Sequence, residues 1–275
     1  MPAPPWGEAV RSAVADGSPA AILRVIKENE TTHAQTPPAA FKRELARLLA
    51  LHRTHADLIA LSGAFLDSQV PGLQEVGALL FADVAPDGSR MLLRGIQDAA
   101  ASDHWEVREW AASAFGEALA KDPALREEVG RWSTDPSERL RRAAVIALME
   151  LSRAGGPEAA GYALDVLGMM LADSSPYVQK NLGAFAIGSS FAAHHPDLVV
   201  RRMRNWVANG DELVRTQVAL VFTAAAGARL AGAAGDVLAR LAADPRPRVQ
   251  RALRRAEKVI ARHAARAEAR PNGQE

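Results

Sequence analysis

Trp105 and Glu109 stand four residues apart in the stretch Asp103–Ala112. Residues at that spacing share one face of a helix. A tryptophan ring offers a cation–π surface, and a carboxylate beside it can stabilise a developing positive charge or orient a water. The pair is therefore suited to chemistry on a cationic centre. Ordinary packing accounts for the same spacing, with Trp105 as a staple at a helix start. Glu109 is then a partner for Arg108, Arg141 or Arg142.

The stretch belongs to a repeat. Aliphatic anchors fall at Leu73, Val107, Leu140, Val178, Val214 and Val249, with spacings of 34, 33, 38, 36 and 35. Periods of this size indicate stacked helical pairs. An Asp lies near each copy (Asp67, Asp103, Asp135, Asp173, Asp211, Asp244), and is expected at or near a helix N-cap. The anchor and the residue four later, as in Val107 with Ala111 or Val214 with Val218, are expected to bury together. No strand-period stretch competes. The fold expected is an all-α, helical-repeat solenoid resembling HEAT repeats, with a concave basic surface.

The whole chain, residues 1–275, reads as a single domain. Residues 1–8 read as a loose leader and 9–66 as N-terminal helices. The repeats fill 67–255, and 256–275 form a helix end and tail. Ser18 is a candidate N-cap with Pro19 at the first helical position. Ala39–Leu51 carries Phe41, Leu45, Leu48 and Leu49 on one stripe. The last helix is expected from Arg248 to about Arg270.

At 48% hydrophobic and 24% charged, the composition is globular. With no cysteine, disulfides and thiolate metal sites are excluded. The first residues lack the pattern of a signal peptide, and no apolar run is long enough to cross a membrane. A cytoplasmic location with no membrane partner is the expectation. Charge is divided: residues 1–138 hold 13 Lys/Arg and 20 Asp/Glu, and residues 139–275 hold 20 and 12. That asymmetry points to a polyanion partner for the second half.

In stacked repeats, equivalent positions align in columns. One residue after the anchor stand Gln74, Arg108, Arg141, Gln179, Arg215 and Gln250. Two after stand Glu75, Glu109, Arg142, Lys180, Thr216 and Arg251. Together they read as a cationic, hydrogen-bonding strip suited to a phosphate backbone. Arg201, Arg202, Arg204, Arg254 and Arg255 flank it. The alternative is that these side chains are solvated or bonded to the Asp of the next turn. Two before the anchor, Trp105 is the lone aromatic among Pro71, Glu138, Pro176, Glu212 and Pro247.

Three segments, His104–Glu109, Leu140–Ala144 and Ser175–Gly183, occur in an order and spacing that resemble the HEAT-like-repeat DNA glycosylases of the AlkD/AlkC type. The likeness covers roughly residues 60–255. It implies excision of cationic N3- and N7-alkylated purines from double-stranded DNA by a monomer. It implies no metal, no cofactor and no deep pocket for a flipped base. By position, Trp105 matches the family's aromatic and Glu109 its catalytic acid, where AlkD-type members usually carry Asp. Arg141 or Arg142 matches a cation near the lesion. Arg108, Gln179, Lys180, Arg215 and Arg251 fall on the DNA-binding strip, with Tyr177 beside it. The chain departs from the pattern at Ala184, where Trp is expected, and at Ile187 and Gly188, where Arg is expected. Phe185 or Tyr177 would have to replace that wall. Val145 and Ile146 stand where AlkC-type members carry Glu. The rival reading is a non-catalytic HEAT-repeat module that binds DNA or protein.

His194 and His195 precede Pro196 without a third ligand at metal spacing, and read as a helix-end pair.

Overall fold

The structure, a computed structural model, describes residues 5–31 and 34–268. The first four residues of the expected leader and the tail Pro271–Glu275 lie outside the described residues. So does Arg270 at the expected helix end. The described residues form helices and turns without a strand. The chain divides into two compact units, Met1–Glu128 and Val129–Glu275.

The first unit holds α1 (Gly7–Asp16), α2 (Pro19–Glu28), α3 (Ala39–His52) and α4 (His55–Leu66). It continues with α5 (Pro71–Asp83), α6 (Ser89–Ala100) and α7 (Trp105–Lys121). Helix α8 (Arg126–Ser133) spans the division. Local rules set the starts. The Ser18 hydroxyl accepts from the Ala21 N–H ahead of Pro19, and Thr54 and Asp57 form a reciprocal capping box. Residues 5–8 are not loose: α1 begins at Gly7, and Trp6 packs edge-on against Phe41 with ring centroids 5.5 Å apart. Helices α3, α5 and α7 pack in one layer, and α4 and α6 pair in the other.

The second unit holds α9 (Glu138–Ala154), α10 (Pro157–Met170), α11 (Pro176–Gln179) and a π-helix over Leu182–Phe191. Then come α12 (Ala192–His194), α13 (Pro196–Ala208), α14 (Glu212–Val221), α15 (Ala225–Ala228), α16 (Gly235–Ala242) and α17 (Pro247–Glu268). Again there are two layers. Helix α9, the π-helix, α14 and α17 pack in sequence, and α10, α13 and α16 pack beside them. The anchors explain the layering. Leu73, Val107, Leu140, Val178, Val214 and Val249 are all buried, as are Gly77, Ala111, Ala144, Leu182, Val218 and Leu253 four places on. The small ones, Gly77, Ala111 and Ala144, let neighbouring helices approach closely.

The π-helix is the one irregular anchor helix. Its Ala186 N–H bonds the Asn181 carbonyl five residues back. Close approach to α14 explains two of its glycines. A Cβ at Gly183 would lie 2.4 Å from the Gln217 carbonyl oxygen, and one at Gly188 2.5 Å from that of Val221. The Gln217 side chain accepts the Gly183 N–H at 2.8 Å.

Candidate nucleic-acid interface

The turn before each anchor helix follows one rule, and it is not the rule expected of the Asp residues. Five places before the anchor stand Ser68, Ser102, Asp135, Asp173, Asn209 and Asp244. Each side chain accepts the backbone N–H two residues on, at Val70, His104, Ser137, Ser175, Asp211 and Arg246. This is the Asx- and ST-turn geometry. Asp67 and Asp103 are out of register with it, and Asp211 is a true N-cap, accepting from Leu213 and Val214. Helix α7 is capped by His104, whose Nδ1 accepts from Val107, rather than by Asp103.

The column after the anchor is tied to that turn. Arg108, Arg141, Gln179, Arg215 and Gln250 each donate to the carbonyl of the residue six earlier. The partners are Ser102, Asp135, Asp173, Asn209 and Asp244, at 2.6–2.9 Å. Two of these arginines also reach the next repeat. Arg141 grips Asp173 through Nε at 2.7 Å and Nη2 at 3.3 Å, and Arg215 reaches Asp244 at 2.8 Å. The Asp173 carboxylate in turn holds the Arg141 guanidinium above its ordinary pKa. Asp244, buried between Arg246 and Arg215, is held well below the usual carboxylate range. The expected phosphate-gripping roles of Arg108, Arg141, Gln179 and Arg215 therefore meet a physical objection. Their donors already join backbone turns, and those of Arg141 and Arg215 the next repeat as well.

The flanking cations do the same work in the other layer. Arg202 of α13 bonds Asp165 of α10 at 2.8 Å, and Arg204 bonds Asp236 of α16 at 2.9 Å.

The second column does not form a uniform strip either. Glu75 is fully buried, Arg142 is 7% exposed, and Thr216 is buried with its hydroxyl donating to the Glu212 carbonyl. Arg142 and Lys180 are nonetheless brought together by Tyr177. The guanidinium carbon lies 5.4 Å from the ring centroid and the Lys180 Nζ 4.7 Å. Lys180 and Arg251 are exposed. Gln179 accepts from Arg248 of α17 at 2.6 Å.

In the first unit, Trp105 is 46% exposed at the first position of α7, and Glu109 is half-buried one turn later. In the second unit, Ala184 is half-buried and Ile187 fully buried on the π-helix, with Phe185 exposed between them. Neither of the two side chains that the glycosylase likeness requires there has an equivalent at its own position.

The cationic surface that stands clear is α17. Arg251, Arg254, Arg255, Lys258, Arg262 and Arg266 are all exposed. At about 100° per residue they fall within an arc of about 120°. The buried Val249, Ala252, Leu253 and Ala256 lie opposite. Among the described residues, none of these six cations is bonded to a carboxylate. Of these six cations, the sequence columns and their flanks included only Arg251, Arg254 and Arg255. A helical projection of residues 247–268 would have revealed the whole arc. Charge agrees: the second unit holds 21 Lys/Arg against 14 Asp/Glu, a balance of +7, and the first holds 12 against 18.

His194 and His195 meet the carbonyls of Ser190 and Ser152 at 2.9 and 3.0 Å, and no metal-binding group occurs among the described residues. No helix among them is long and apolar enough to cross a membrane.

The periodic turn, the stapled helix layers and the buried anchors have a counterpart among known families. Residues 93–188 match the family of HEAT repeats. Together with the two helix layers, that match fits an all-α helical-repeat solenoid. No curated protein matches the chain. Among solved structures, the chain is similar to smu.31 from Streptococcus mutans UA159. The TM-score is 0.47 at 20% identity, over 77% of this chain and 97% of that one. An engineered protein aligns with TM-score 0.32 at 18% identity, over 75% and 97%. YibA of Escherichia coli aligns with TM-score 0.36 at 14% identity, over 94% and 98%.

Proposed function

We propose that this HEAT-repeat chain binds double-stranded DNA, gripping the phosphate backbone with the exposed cationic face of α17. The observation that carries the reading is the arc of six exposed cations, none bonded to a carboxylate among the described residues. Cations so placed exchange condensed counterions for phosphates, so affinity falls with salt. Phosphate contacts position a duplex without reading its sequence, which suits a protein that surveys DNA. Lys180, held over Tyr177, adds a seventh cation in the same unit. The test is anisotropy of a labelled duplex from 50 to 200 mM salt, with the variant Arg251→Glu/Arg255→Glu/Lys258→Glu. The expected outcome is steep salt dependence in the wild type and loss of at least about tenfold in affinity in the variant. Salt-independent binding, or a variant that binds as well as the wild type, overturns the reading.

A second reading is favoured by one observation, the exposed Trp105 one turn before Glu109. It is an N-glycosylase for cationic N3- and N7-alkylpurines. The alkylated base is already charged, so its glycosidic bond is weak. Trp105 would offer a π-face to the positive charge, and Glu109 would stabilise the oxocarbenium-like sugar and place the attacking water. In the second unit, Ala184 and Ile187 stand where the likeness expects Trp and Arg, which is why binding without excision stands first. Release of N7-methylguanine or N3-methyladenine from duplex DNA decides. Release by the wild type that Glu109→Gln abolishes supports excision, and no release leaves the binding module.

A further inference from the structure

Lys42 of α3 and Glu75 of α5 lie inside the first unit at 1% and 0% side-chain exposure, with Nζ and Oε2 2.7 Å apart. Glu106, in the first turn of α7, brings a second carboxylate 3.2 Å from the same Nζ and is 21% exposed. The Thr36 hydroxyl donates to Glu106 and lies 3.5 Å from Lys42 Nζ. One turn after Glu106, the Trp110 ring centroid stands 4.8 Å from Lys42 Nζ, and Arg43 packs on the same ring at 5.1 Å.

One cation therefore faces two carboxylates, one fully buried and one partly exposed, and Glu75 Oε1 is buried without a hydrogen-bond partner among the described residues. A proton on Glu75 cancels the surplus charge. Burial raises the Glu75 pKa to about 7 against the pull of Lys42, and the neighbouring Glu106 adds to the rise. Burial acts to raise Glu106 too, but Thr36 and Lys42 outweigh it and hold that carboxyl below its ordinary value. The proton belongs on Glu75 and the negative charge on Glu106. Helices α2, α4 and α6 also pack against α5. Among the described residues, none of their side chains bonds to Glu75.

We infer that Lys42, Glu75 and Glu106 form a proton-operated latch on the first turn of α7. With Glu75 protonated, the cluster is neutral and Glu106 stays docked on Lys42 and Thr36. When Glu75 gives its proton to water, the cluster carries one uncompensated negative charge. The partly exposed Glu106 is the member that can swing to solvent, and Trp105, its chain neighbour, moves with it. His104 is on the same turn, its Nε2 2.8 Å from the Ala34 carbonyl, so the loop before α3 is released together with the helix start.

The latch concerns the protein alone, so it is tested without DNA. Amide hydrogen exchange over residues 104–110, corrected for intrinsic pH dependence, follows the opening of this turn. Opening is expected to rise by about tenfold or more between pH 5 and 7 and to level off above pH 7. In Glu75→Gln, which imitates the protonated acid, it is expected to stay flat. Exchange that is pH-independent in the wild type, or that rises equally in Glu75→Gln, overturns the latch. Should Glu75→Gln not fold, the carbon resonance of the wild-type Glu75 carboxyl decides. A midpoint near 7 supports the latch, and one in the ordinary glutamate range overturns it.

Discussion

At Lys42 an ammonium at 1% exposure has exchanged its water for two carboxylates, a hydroxyl and an indole face. Such a cluster gives little net stability, but removing one member strands the others. Lys42→Met is expected to cost about 3–5 kcal/mol in chemical denaturation. Adding Glu75→Leu to it should recover most of that loss. The sign of the pH effect follows from Glu75. Its carboxyl is raised on folding, so its contribution is complete below its ordinary value of 4.5 and is lost as pH rises to about 7. Asp244 runs the other way. Held low first by Arg246 and then by Arg215, it stabilises above its ordinary 3.8 and gives that contribution up only in stronger acid. In thermal unfolding, Asp244→Asn should be less stable than the wild type at neutral pH, and the difference should shrink below pH 3. None of the Lys42 cluster was legible in the sequence. Its members stand on three helices, 33 and 31 residues apart, and each alone looks like a solvated charge.

Helices were the most legible level. The Ser18 cap, the Ala39–Leu51 stripe and the six anchors all appear in the structure. Periodic burial and capping are local effects, which is why they can be read from spacing. The turn register was misread because Asp is common near all six turns, while the accepting side chain alternates among Ser, Asp and Asn. The π-helix was invisible because Leu182–Phe191 is apolar but for Ser189 and Ser190 and has no period to betray the wider turn. Its glycines carry a checkable consequence. Gly183→Ala must push a methyl into the α14 backbone and is expected to cost about 1–3 kcal/mol in thermal unfolding. Gly161→Ala on α10, where a Cβ would meet nothing within 4 Å, should instead stabilise by about 0.5–1 kcal/mol.

Across the whole chain, charge is the clearest division, with an acidic first unit and a cationic second one. Each phosphate-contacting cation removed from α17 should lower the slope of log affinity against log salt by about 0.9. Arg251→Gln and Arg255→Gln titrations measure this one step at a time. The column after the anchor also follows the order of the repeats. Arginine follows the anchor where the next repeat brings Asp to its turn, as Arg141 with Asp173 and Arg215 with Asp244, and in sequence Arg108 with Asp135. Glutamine follows where the next repeat brings Ser or Asn, as Gln74 with Ser102 and Gln179 with Asn209. Arg141→Gln or Asp173→Asn alone should each cost about 1–3 kcal/mol, and the double change less than their sum. Each repeat thus names its successor. A copy excised from the middle would set Gln179 against Asp244 or Arg141 against Asn209, so the array can grow or shrink in evolution only where both sides of a junction are rewritten together.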